Sequence, residues 1–172
     1  TYLSSIKSSS KTLLSLIDDI LDLSKIDAGE LSVKPAYINI KTILEEIRNV
    51  FWLKMKQKHI EFKIQISETV PDMVYMDDIR FRQILINLIG NAFKLTDRGK
   101  VIITLWAGKK RRLNQHDIVD ISLNVTDTGI GISEDNMNKI FRLDHKIQTE
   151  GTEKEKGTGL GRILCKEIIE KN

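Results

Sequence analysis

The sequence predicts a protein of the α+β class in which one long amphipathic helix precedes alternating strands and helices. Residues 118–126 alternate apolar and polar side chains, which is the two-residue period of a strand with one buried face. Residues 2–28 instead repeat apolar side chains at heptad spacing, which indicates a long helix that needs partner helices to be stable. The chain of 172 residues is long enough for one compact domain with an appended element.

Composition narrows the class of protein. Hydrophobic residues make up 41% and charged residues 30% of the chain, as in soluble globular domains, and a net charge of +3 does not by itself indicate nucleic-acid binding. Cys165 is the single cysteine, so an internal disulfide is impossible and a reducing compartment is expected. No apolar run approaches the ~20 residues of a membrane helix. The start at Thr1 suggests a piece of something longer.

The elements follow in order along the chain. Gly29 is expected to end the first helix, and Pro35 precedes a new segment. Strands are predicted at 37–40, 60–66, 74–76, 100–107 and 118–126. Further helices are predicted at 41–56, from Asp77 or Asp78 to about 94, and from the glycines at 157–161 onward.

The apolar faces of these helices predict which side chains form the core. In the helix at 41–56 they are Ile43, Leu44, Ile47, Val50, Phe51 and Leu53. In the helix that ends near 94 they are Ile84, Leu88, Ala92 and Leu95, with Phe81 beside them. In the last helix they are Ile163, Leu164, Ile168 and Ile169.

Residues 127–133 (DTGIGIS) follow the last predicted strand, and the rest of the chain is organised around them. Continuing the alternation of that strand places Asp127 on its buried side, where a carboxylate needs a partner. Gly129 and Gly131 allow the backbone to turn sharply and to approach a flat or anionic group closely. Taken alone, the motif is equally typical of a strand that ends in a glycine turn.

The helix that ends near 94 carries a second informative pattern. At about 100° per residue, Asn87, Asn91 and Lys94 form a polar stripe beside the apolar one, and Arg80 and Gln83 extend it. Amide oxygens suit Mg²⁺ and an ammonium suits phosphate oxygens, so the stripe is typical of a lined cleft. Taken alone, these residues are more typical of an ordinary polar helix face.

A third stretch, residues 157–161 (GTGLG), opens the last predicted helix, and glycine amides at a helix N-terminus bind phosphate well. The polar segment between the two glycine motifs, 137–156, is interpreted as a mobile lid. His145 within it is interpreted as an exposed loop histidine. The basic run 109–112 (KKRR) could contact nucleic acid or anionic lipid, but a solvated hairpin loop is favoured because no aromatic residue is interleaved with it.

In order and spacing these stretches resemble the ATP-binding domain of sensor histidine kinases, within the wider family of gyrase B, Hsp90 and the mismatch-repair ATPases. Residues 1–29 resemble the second helix of the kinase's dimerisation and phosphotransfer hairpin, which leaves 30–172 for the catalytic domain. The resemblance covers nearly the whole chain. Its motifs are 87–96 (NLIGNAFKLT, similar to the N box), 127–133 (first glycine box), 140–141 (F box) and 157–161 (second glycine box).

The resemblance implies a site for ATP and Mg²⁺. Asp127 would accept a hydrogen bond from the adenine amino group, and Gly129 and Gly131 would let the adenine pocket form. Asn91 would hold Mg²⁺, with Asn87 helping directly or through water, and Lys94 would reach a phosphate. The other ATP-binding positions are Ile132, Gly157, Thr158 on the adenine side, and Gly159, Leu160 and Gly161 with their amides around the triphosphate. No catalytic residue is assigned.

The fold implied by the resemblance is a two-layer α/β sandwich in which a mixed sheet is covered by helices on one face, with nucleotide between helices and lid. The lid is expected to be disordered over 143–156 without nucleotide. The implied partners are a response regulator receiver domain, a histidine-bearing helix and a second copy in the full-length homodimer, and no nucleic acid. The implied location is cytoplasmic, including the cytoplasmic part of a membrane-bound sensor, with membrane contact only through parts absent from this chain.

The chain also departs from the family pattern. The first hairpin helix with the phosphorylated histidine is absent, and no histidine stands in a His-Glu or His-Asp pair ahead of a long amphipathic helix. The sequence stops before the family's closing strands, so the sheet is expected to lack an edge hairpin and to leave part of the last helix uncovered. Arg162 occupies a position that is usually apolar in the family.

Three functions stay open from the sequence. The first is the nucleotide-binding portion of a histidine kinase, which transfers the γ-phosphoryl group of ATP to a histidine on another segment in a phosphorelay. The second is an ATP-hydrolysing switch, but those ATPases usually carry Glu where this chain has Asn87, and a carboxamide is no base at neutral pH. The third is a degenerate nucleotide-binding or scaffold module, which Arg162 and the missing termini leave open.

Overall fold

A computed structural model describes residues 2–30, 32–137 and 160–171 and contains the helices and strands of an α+β protein, as predicted. The helices are α1 (Tyr2–Asp27), α2 (Ile40–Lys58), α3 (Asp78–Leu95), α4 (Glu134–Met137) and α5 (Leu160–Lys171). The strands are β1 (Ala36–Asn39), β2 (Ile60–Ile66), β3 (Met73–Met76), β4 (Gly99–Ala107), β5 (Arg111–Leu113), β6 (His116–Ile118) and β7 (Ile121–Asp127). None of the helices in these described ranges is both long and apolar enough to cross a membrane.

The chain divides into two compact units, Lys34–Gly131 and a second unit formed by Thr1–Val33 with Ile132–Asn172. The predicted domain boundary after residue 29 stays a prediction. In the second unit, α1 contacts α5, and the buried residues of α5 are Ile163, Leu164, Cys165 and Ile168. Ile169, which the sequence places with these apolar residues, is 62% exposed.

The long helix α1 begins and ends as predicted. Gly29 adopts a φ of 71°, its N–H donates to the Ile26 carbonyl at 3.0 Å, and the Glu30 N–H donates to the Lys25 carbonyl at 2.8 Å. This double bond pattern is a Schellman ending, for which glycine is favoured because it tolerates the left-handed conformation. Apolar side chains remain exposed along α1, as expected of a helix that needs partners: Tyr2, Ile6, Leu13, Leu14, Ile17, Ile20 and Leu21.

The Lys34–Gly131 unit contains a mixed three-stranded sheet covered by helices. Strand β4 is central, with β2 parallel on one side and β7 antiparallel on the other. Val101, Ile103 and Leu105 of β4 are fully buried and belong to one core with α2 and α3. Side chains of the opposite face, such as Glu61 and Lys63, are exposed. The helices therefore cover one face, which agrees with the predicted two-layer arrangement.

Helix α2 buries a narrower face than its sequence predicts. Its buried residues are Ile40, Ile43, Leu44, Ile47 and Phe51. The prediction that Val50 and Leu53 belong to the core is wrong, because their side chains are 64% and 63% exposed. At about 100° per residue they lie roughly 80° and 140° from the centre of the buried face, so they cannot reach the sheet.

Helix α3 is rotated relative to the prediction. Its buried residues are Phe81, Leu85, Ile89, Ala92 and Phe93, whereas the predicted Ile84, Leu88 and Leu95 are only half-buried. The ring of Phe93 stacks on Phe51 of α2 at 5.3 Å and meets Phe62 of β2 edge-on at 5.4 Å. These aromatic contacts orient α3, and they join residues that are distant in the sequence.

The basic segment forms a hairpin of its own. Strands β5 and β6 pair across Asn114 and Gln115, whose φ angles of 47° and 68° are those of a type I′ turn. The predicted strand at 118–126 therefore starts later, at Ile121. The hairpin is exposed, as predicted for a solvated loop, and Arg111 donates from Nη2 to both carboxylate oxygens of Asp120 at 2.7 and 2.9 Å.

Asp77 caps the N-terminus of α3. Its Oδ1 accepts from the Arg80 N–H at 3.0 Å and its Oδ2 from the Lys34 N–H at 2.7 Å, and the residue is buried. Burial alone would raise the pKa of Asp77, but the backbone donors of Lys34 and Arg80 and the Arg80 charge lower it overall. Of the two aspartates predicted as caps, Asp77 is the one that acts.

We expect Asp77→Ala to lower the free energy of unfolding by about 1–2 kcal/mol, and Asp77→Asn to lower it less, since an amide oxygen still caps the helix. Because the folded-state pKa is lowered, the stabilisation by the charge is present above the unfolded-state pKa and is lost as pH falls through the folded-state value. Urea unfolding at pH 7 and at stepwise lower pH measures both effects. A gap between wild type and Asp77→Asn that does not shrink on acidification would contradict this account.

Candidate functional site

The candidate site lies where β7 and α3 end side by side. Asp127 is the last residue of β7, and the pairing with β4 continues one residue further. The Thr128 N–H donates to the Lys100 carbonyl at 3.1 Å, and the Lys100 N–H donates to the Thr128 hydroxyl at 3.0 Å. These bonds fix the direction in which the chain leaves the strand and enters the glycine turn.

The Asp127 carboxylate is held through one oxygen. Oδ1 accepts from the Gly129 N–H at 2.8 Å and from the Thr96 hydroxyl at 3.4 Å, and Thr96 is fully buried. Within the described part of the chain, Oδ2 accepts no hydrogen bond. One oxygen is thus oriented by the protein, and the other is available to accept from a ligand.

The burial predicted for Asp127 is wrong, since the residue is exposed. Its position on the strand is as the alternation predicts, because its cross-strand partner is the fully buried Val101, and directly opposite residues share a face. The difference arises because β7 is an outer strand of the described sheet and Asp127 is its last residue, where the core ends.

The two glycines of the turn serve different needs. A Cβ on Gly129 would collide with the Leu95 carbonyl and lie 2.8 Å from Asp127 Oδ1, so only glycine fits between α3 and the carboxylate. Gly131 has a φ of 72°, in the left-handed region that favours glycine. The Ile130 N–H between them donates to the Leu95 carbonyl at 3.3 Å. The turn is therefore packed directly on the end of α3.

The polar stripe of α3 lies on the last helical turns of α3, next to the end that contacts the glycine turn. Asn87, Asn91 and Lys94 are all half-buried. The Nδ2 atom of Asn87 is buried and has no hydrogen-bond partner among the described residues. Since buried amide donors are nearly always paired, this atom indicates a missing acceptor, which a bound anion or polar ligand can supply.

The donor chemistry of this stripe fits a magnesium ion that arrives with a phosphate ligand. In the described ranges no three His, Cys, Asp or Glu side chains are grouped as a metal site. Mg²⁺ needs no such cage, because it keeps several waters and takes one or two protein oxygens together with phosphate oxygens. Asn91 and Asn87, one turn apart on one face, provide amide oxygens of that kind.

The other predicted site residues lie either in the second unit or outside the described residues. Ile132, Leu160 and Gly161 belong to the second unit, where the latter two form the half-buried first turn of α5. The remaining predictions lie outside the described residues: Gly157, Thr158, Gly159, the F box at 140–141, His145 and the lid at 143–156.

Thr96 is not among the predicted site residues, although it lies inside the N-box motif. Thr96 ends α3 with its N–H donating to the Ala92 carbonyl at 3.0 Å, while its side chain reaches Asp127. The available signal was a hydroxyl residue directly after the last helical turn, where polar caps are common. Its link to Asp127 spans 31 positions and depends on the packing of α3 beside β7.

Comparisons with known proteins point to one family. The family model described as histidine kinase-, DNA gyrase B- and HSP90-like ATPase matches residues 76–172. The chain is 32% identical over 168 residues to the signal transduction histidine-protein kinase BarA of Escherichia coli, covering 98% of this chain and 18% of BarA. It therefore spans about a fifth of that relative.

Solved structures agree with this match. Full-length ShkA in complex with AMPPNP superposes with a TM-score of 0.73 at 28% identity, over 97% of this chain and 32% of ShkA. The catalytic domain of the histidine kinase ThkA superposes with a TM-score of 0.60 at 29% identity, over 80% of this chain and 81% of that domain. The likeness to ThkA covers most of an isolated catalytic domain.

Proposed function

The chain belongs to the histidine kinase-, DNA gyrase B- and HSP90-like ATPase family, and from this premise we propose that it is the ATP- and Mg²⁺-binding portion of a two-component sensor histidine kinase. The proposed reaction is transfer of the γ-phosphoryl group of ATP to a histidine outside this chain. The similarity to BarA and to ShkA, whose structure contains AMPPNP, supports the kinase class and the nucleotide.

The observation that carries the proposal is the Asp127 carboxylate. Gly129 and Thr96 hold Oδ1, and Oδ2 is left as an oriented acceptor at the end of the strand. Adenine presents an exocyclic amino group, which donates, whereas guanine presents a carbonyl oxygen at the matching position. A fixed carboxylate acceptor therefore selects adenine over guanine.

The polar stripe of α3 is proposed to bind the phosphates and the metal. Asn91 would hold Mg²⁺ through its amide oxygen, Asn87 would assist, and Lys94 would pair with a phosphate oxygen. The buried Nδ2 of Asn87 supports a polar ligand here. Bound Mg²⁺ would neutralise phosphate charge. Ile132 and the backbone of residues 157–161 are proposed to complete the phosphate and adenine contacts.

The identity of residue Asn87 favours phosphoryl transfer over ATP hydrolysis. An ATP-hydrolysing switch needs a base that activates water, and the resemblance places that base at this position. A carboxamide has no basic lone pair at neutral pH. The chain is therefore proposed to retain bound ATP for transfer. A scaffold without nucleotide-binding activity would instead show no binding of ATP at Asp127 and the polar stripe of α3.

The proposed partners follow from the kinase class. They are a histidine-bearing helix, a response regulator receiver domain and a second copy of the full-length protein. The exposed apolar side chains along α1 support helix pairing, because such a helix is not stable alone. We propose a cytoplasmic location and no nucleic-acid partner.

We expect the chain to bind ATP and ADP with a dissociation constant that rises at least about tenfold when EDTA removes Mg²⁺. Isothermal titration calorimetry with a non-hydrolysable ATP analogue measures this directly. Asn91→Ala is expected to remove most of the Mg²⁺ dependence. Asn124→Ala, on the exposed face of β7, is the control and should leave binding unchanged. Equal affinity with and without Mg²⁺ would contradict the metal role of Asn91, and no binding at all would contradict the proposed function.

A further inference from the structure

Lys58, the last residue of α2, reaches across to the end of α3. Its Nζ donates to the Phe93 carbonyl at 2.9 Å and to the Thr96 carbonyl at 3.1 Å. Longer contacts of 3.4 Å join the same atom to the Lys94 carbonyl and to Asp97 Oδ1. The side chain is 31% exposed, so its stem lies against the protein while the ammonium meets the helix end.

These contacts provide hydrogen-bond donors to the C-terminal end of α3. The last carbonyls of a helix have no partner within the helix and carry its negative partial charge. An ammonium carries three protons, so it can donate one proton to each of two carbonyls and share its third proton among the longer contacts. Lys58 therefore neutralises the end of α3 and fixes the conformation of the turn from Phe93 to Thr96.

The same turn supports the candidate site. The Leu95 carbonyl accepts from the Ile130 N–H and packs against Gly129. The Thr96 hydroxyl donates to Asp127 Oδ1. A shift of the α3 end would thus move both the glycine turn and the carboxylate that faces the ligand.

We infer that Lys58 is a positioning residue for nucleotide recognition: its ammonium clamps the end of α3, and Thr96 transmits that geometry to Asp127. This inference rests on the proposed function, because the contacts of Lys58 can affect nucleotide recognition only if the site binds a nucleotide. Lys58 itself does not contact the nucleotide in this account. A simple helix cap would stabilise the fold without affecting the choice of purine.

The test compares Lys58→Met, which keeps the apolar stem, with Lys56→Met as a matched control. Lys56 lies two residues earlier in α2, and its Nζ lies over the Trp52 ring at 4.5 Å instead of at the end of α3. We expect Lys58→Met to weaken ADP binding about 3- to 30-fold and to reduce the ADP-to-GDP affinity ratio. Lys56→Met should change neither. Lys58→Arg, which keeps the charge and the donors, should restore much of the affinity.

Coupling to Thr96 provides the second readout. Thr96→Val should reduce the same affinity ratio, and the double variant Lys58→Met/Thr96→Val should be little worse than Thr96→Val alone, because both changes break one chain of contacts. Additive losses would contradict transmission through Thr96. If Lys58→Met does not fold, Lys58→Gln replaces it, because the glutamine amide can still donate to one carbonyl. Lys58→Gln should then give an intermediate loss of ADP affinity.

Amide spectra of the nucleotide-free protein separate failure of this inference from failure of the proposed function. We expect the ¹H–¹⁵N signals of Gly129 and Ile130 to shift in Lys58→Met and to stay in place in Lys56→Met. Unshifted Gly129 and Ile130 signals in Lys58→Met would overturn this inference alone. A Lys58→Met variant that is less stable but keeps wild-type ADP affinity and purine selectivity would do the same. Shifted signals in a protein whose wild type binds no ADP would overturn the proposed function and this inference with it.

Discussion

Asp127→Asn is expected to weaken ADP binding at least about tenfold and to reduce the preference for ADP over GDP by about 10- to 100-fold. The reason lies in which oxygen the protein holds. The Gly129 N–H and the Thr96 hydroxyl both donate toward Oδ1. In the variant, the amide oxygen will take that position, so the amide NH₂ will face the ligand.

An outward NH₂ group changes the preference for the base. It opposes the adenine amino group, donor against donor, and it can donate to the guanine carbonyl oxygen. The variant is thus expected to lose adenine affinity and to gain relative guanine affinity. This outcome is more specific than a general loss of binding, because a merely damaged pocket would weaken both nucleotides.

Competition titrations with a fluorescent ADP analogue measure both affinities for wild type and variant. Asp120→Asn is the matched control, because that exposed carboxylate pairs with Arg111 in the hairpin away from the glycine turn. It should behave as wild type. A selectivity for ADP over GDP that is unchanged in Asp127→Asn would contradict the role of Asp127 in reading the base.

Local patterns in the sequence predicted most of the elements, because local interactions determine them. The alternation of Ile60–Ile66 has the period of a half-buried strand, and that strand forms over those residues. Gly29 ends α1 through its own φ angle, and Asp77 begins α3 through a bond three residues away. Each of these features involves neighbours that the sequence shows side by side.

The sequence could not predict features that depend on distant contacts. The rotation of α3 is set by Phe93 against Phe51 and Phe62, which lie more than 30 positions earlier. Val50 is exposed because it lies about 80° from the centre of the face of α2 that packs on the core. Apolar periodicity gives an approximate face of a helix, and tertiary packing then chooses the final rotation.

The candidate site shows the same division. Asp127, Gly129 and the polar stripe of α3 could be selected from motif chemistry, and the structure brings Asp127 and Gly129 to the end of α3. No local pattern connects Thr96 or Lys58 with them. Those links cross from one element to another, so only the packed fold reveals how the carboxylate is oriented.

The second large effect concerns activity. Incubated with Mg²⁺ and ATP alone, this chain is expected to form no phosphohistidine and to hydrolyse ATP very slowly. Phosphoryl transfer requires the γ-phosphate, its metal and the nucleophile in line at about 3 Å. The chain is proposed to supply the nucleotide and metal sites, while Asn87 cannot activate water and no acceptor histidine is assigned to it.

A protein that carries a histidine-bearing dimerisation helix is expected to become labelled when it is added to this chain. The exposed apolar side chains of α1 offer that helix a surface to pair with. The Asp127→Asn variant should label the helix far more slowly at the same ATP concentration, whereas Asp120→Asn should label it at the wild-type rate. Equal labelling by both variants would contradict the link between the adenine site and transfer.

The most direct test of the central claim, that this chain binds ATP and transfers its γ-phosphoryl group to a histidine elsewhere, is the chemical stability and position of the label. The chain is incubated with γ-³²P-ATP and the histidine-bearing helix, and the products are separated and treated with acid or base. We expect a label on the helix that is lost in acid and kept in base, as phosphohistidine requires, and no label on this chain. An acid-labile label on His59, His116 or His145, or a helix that stays unlabelled although the chain binds ATP, would contradict the account.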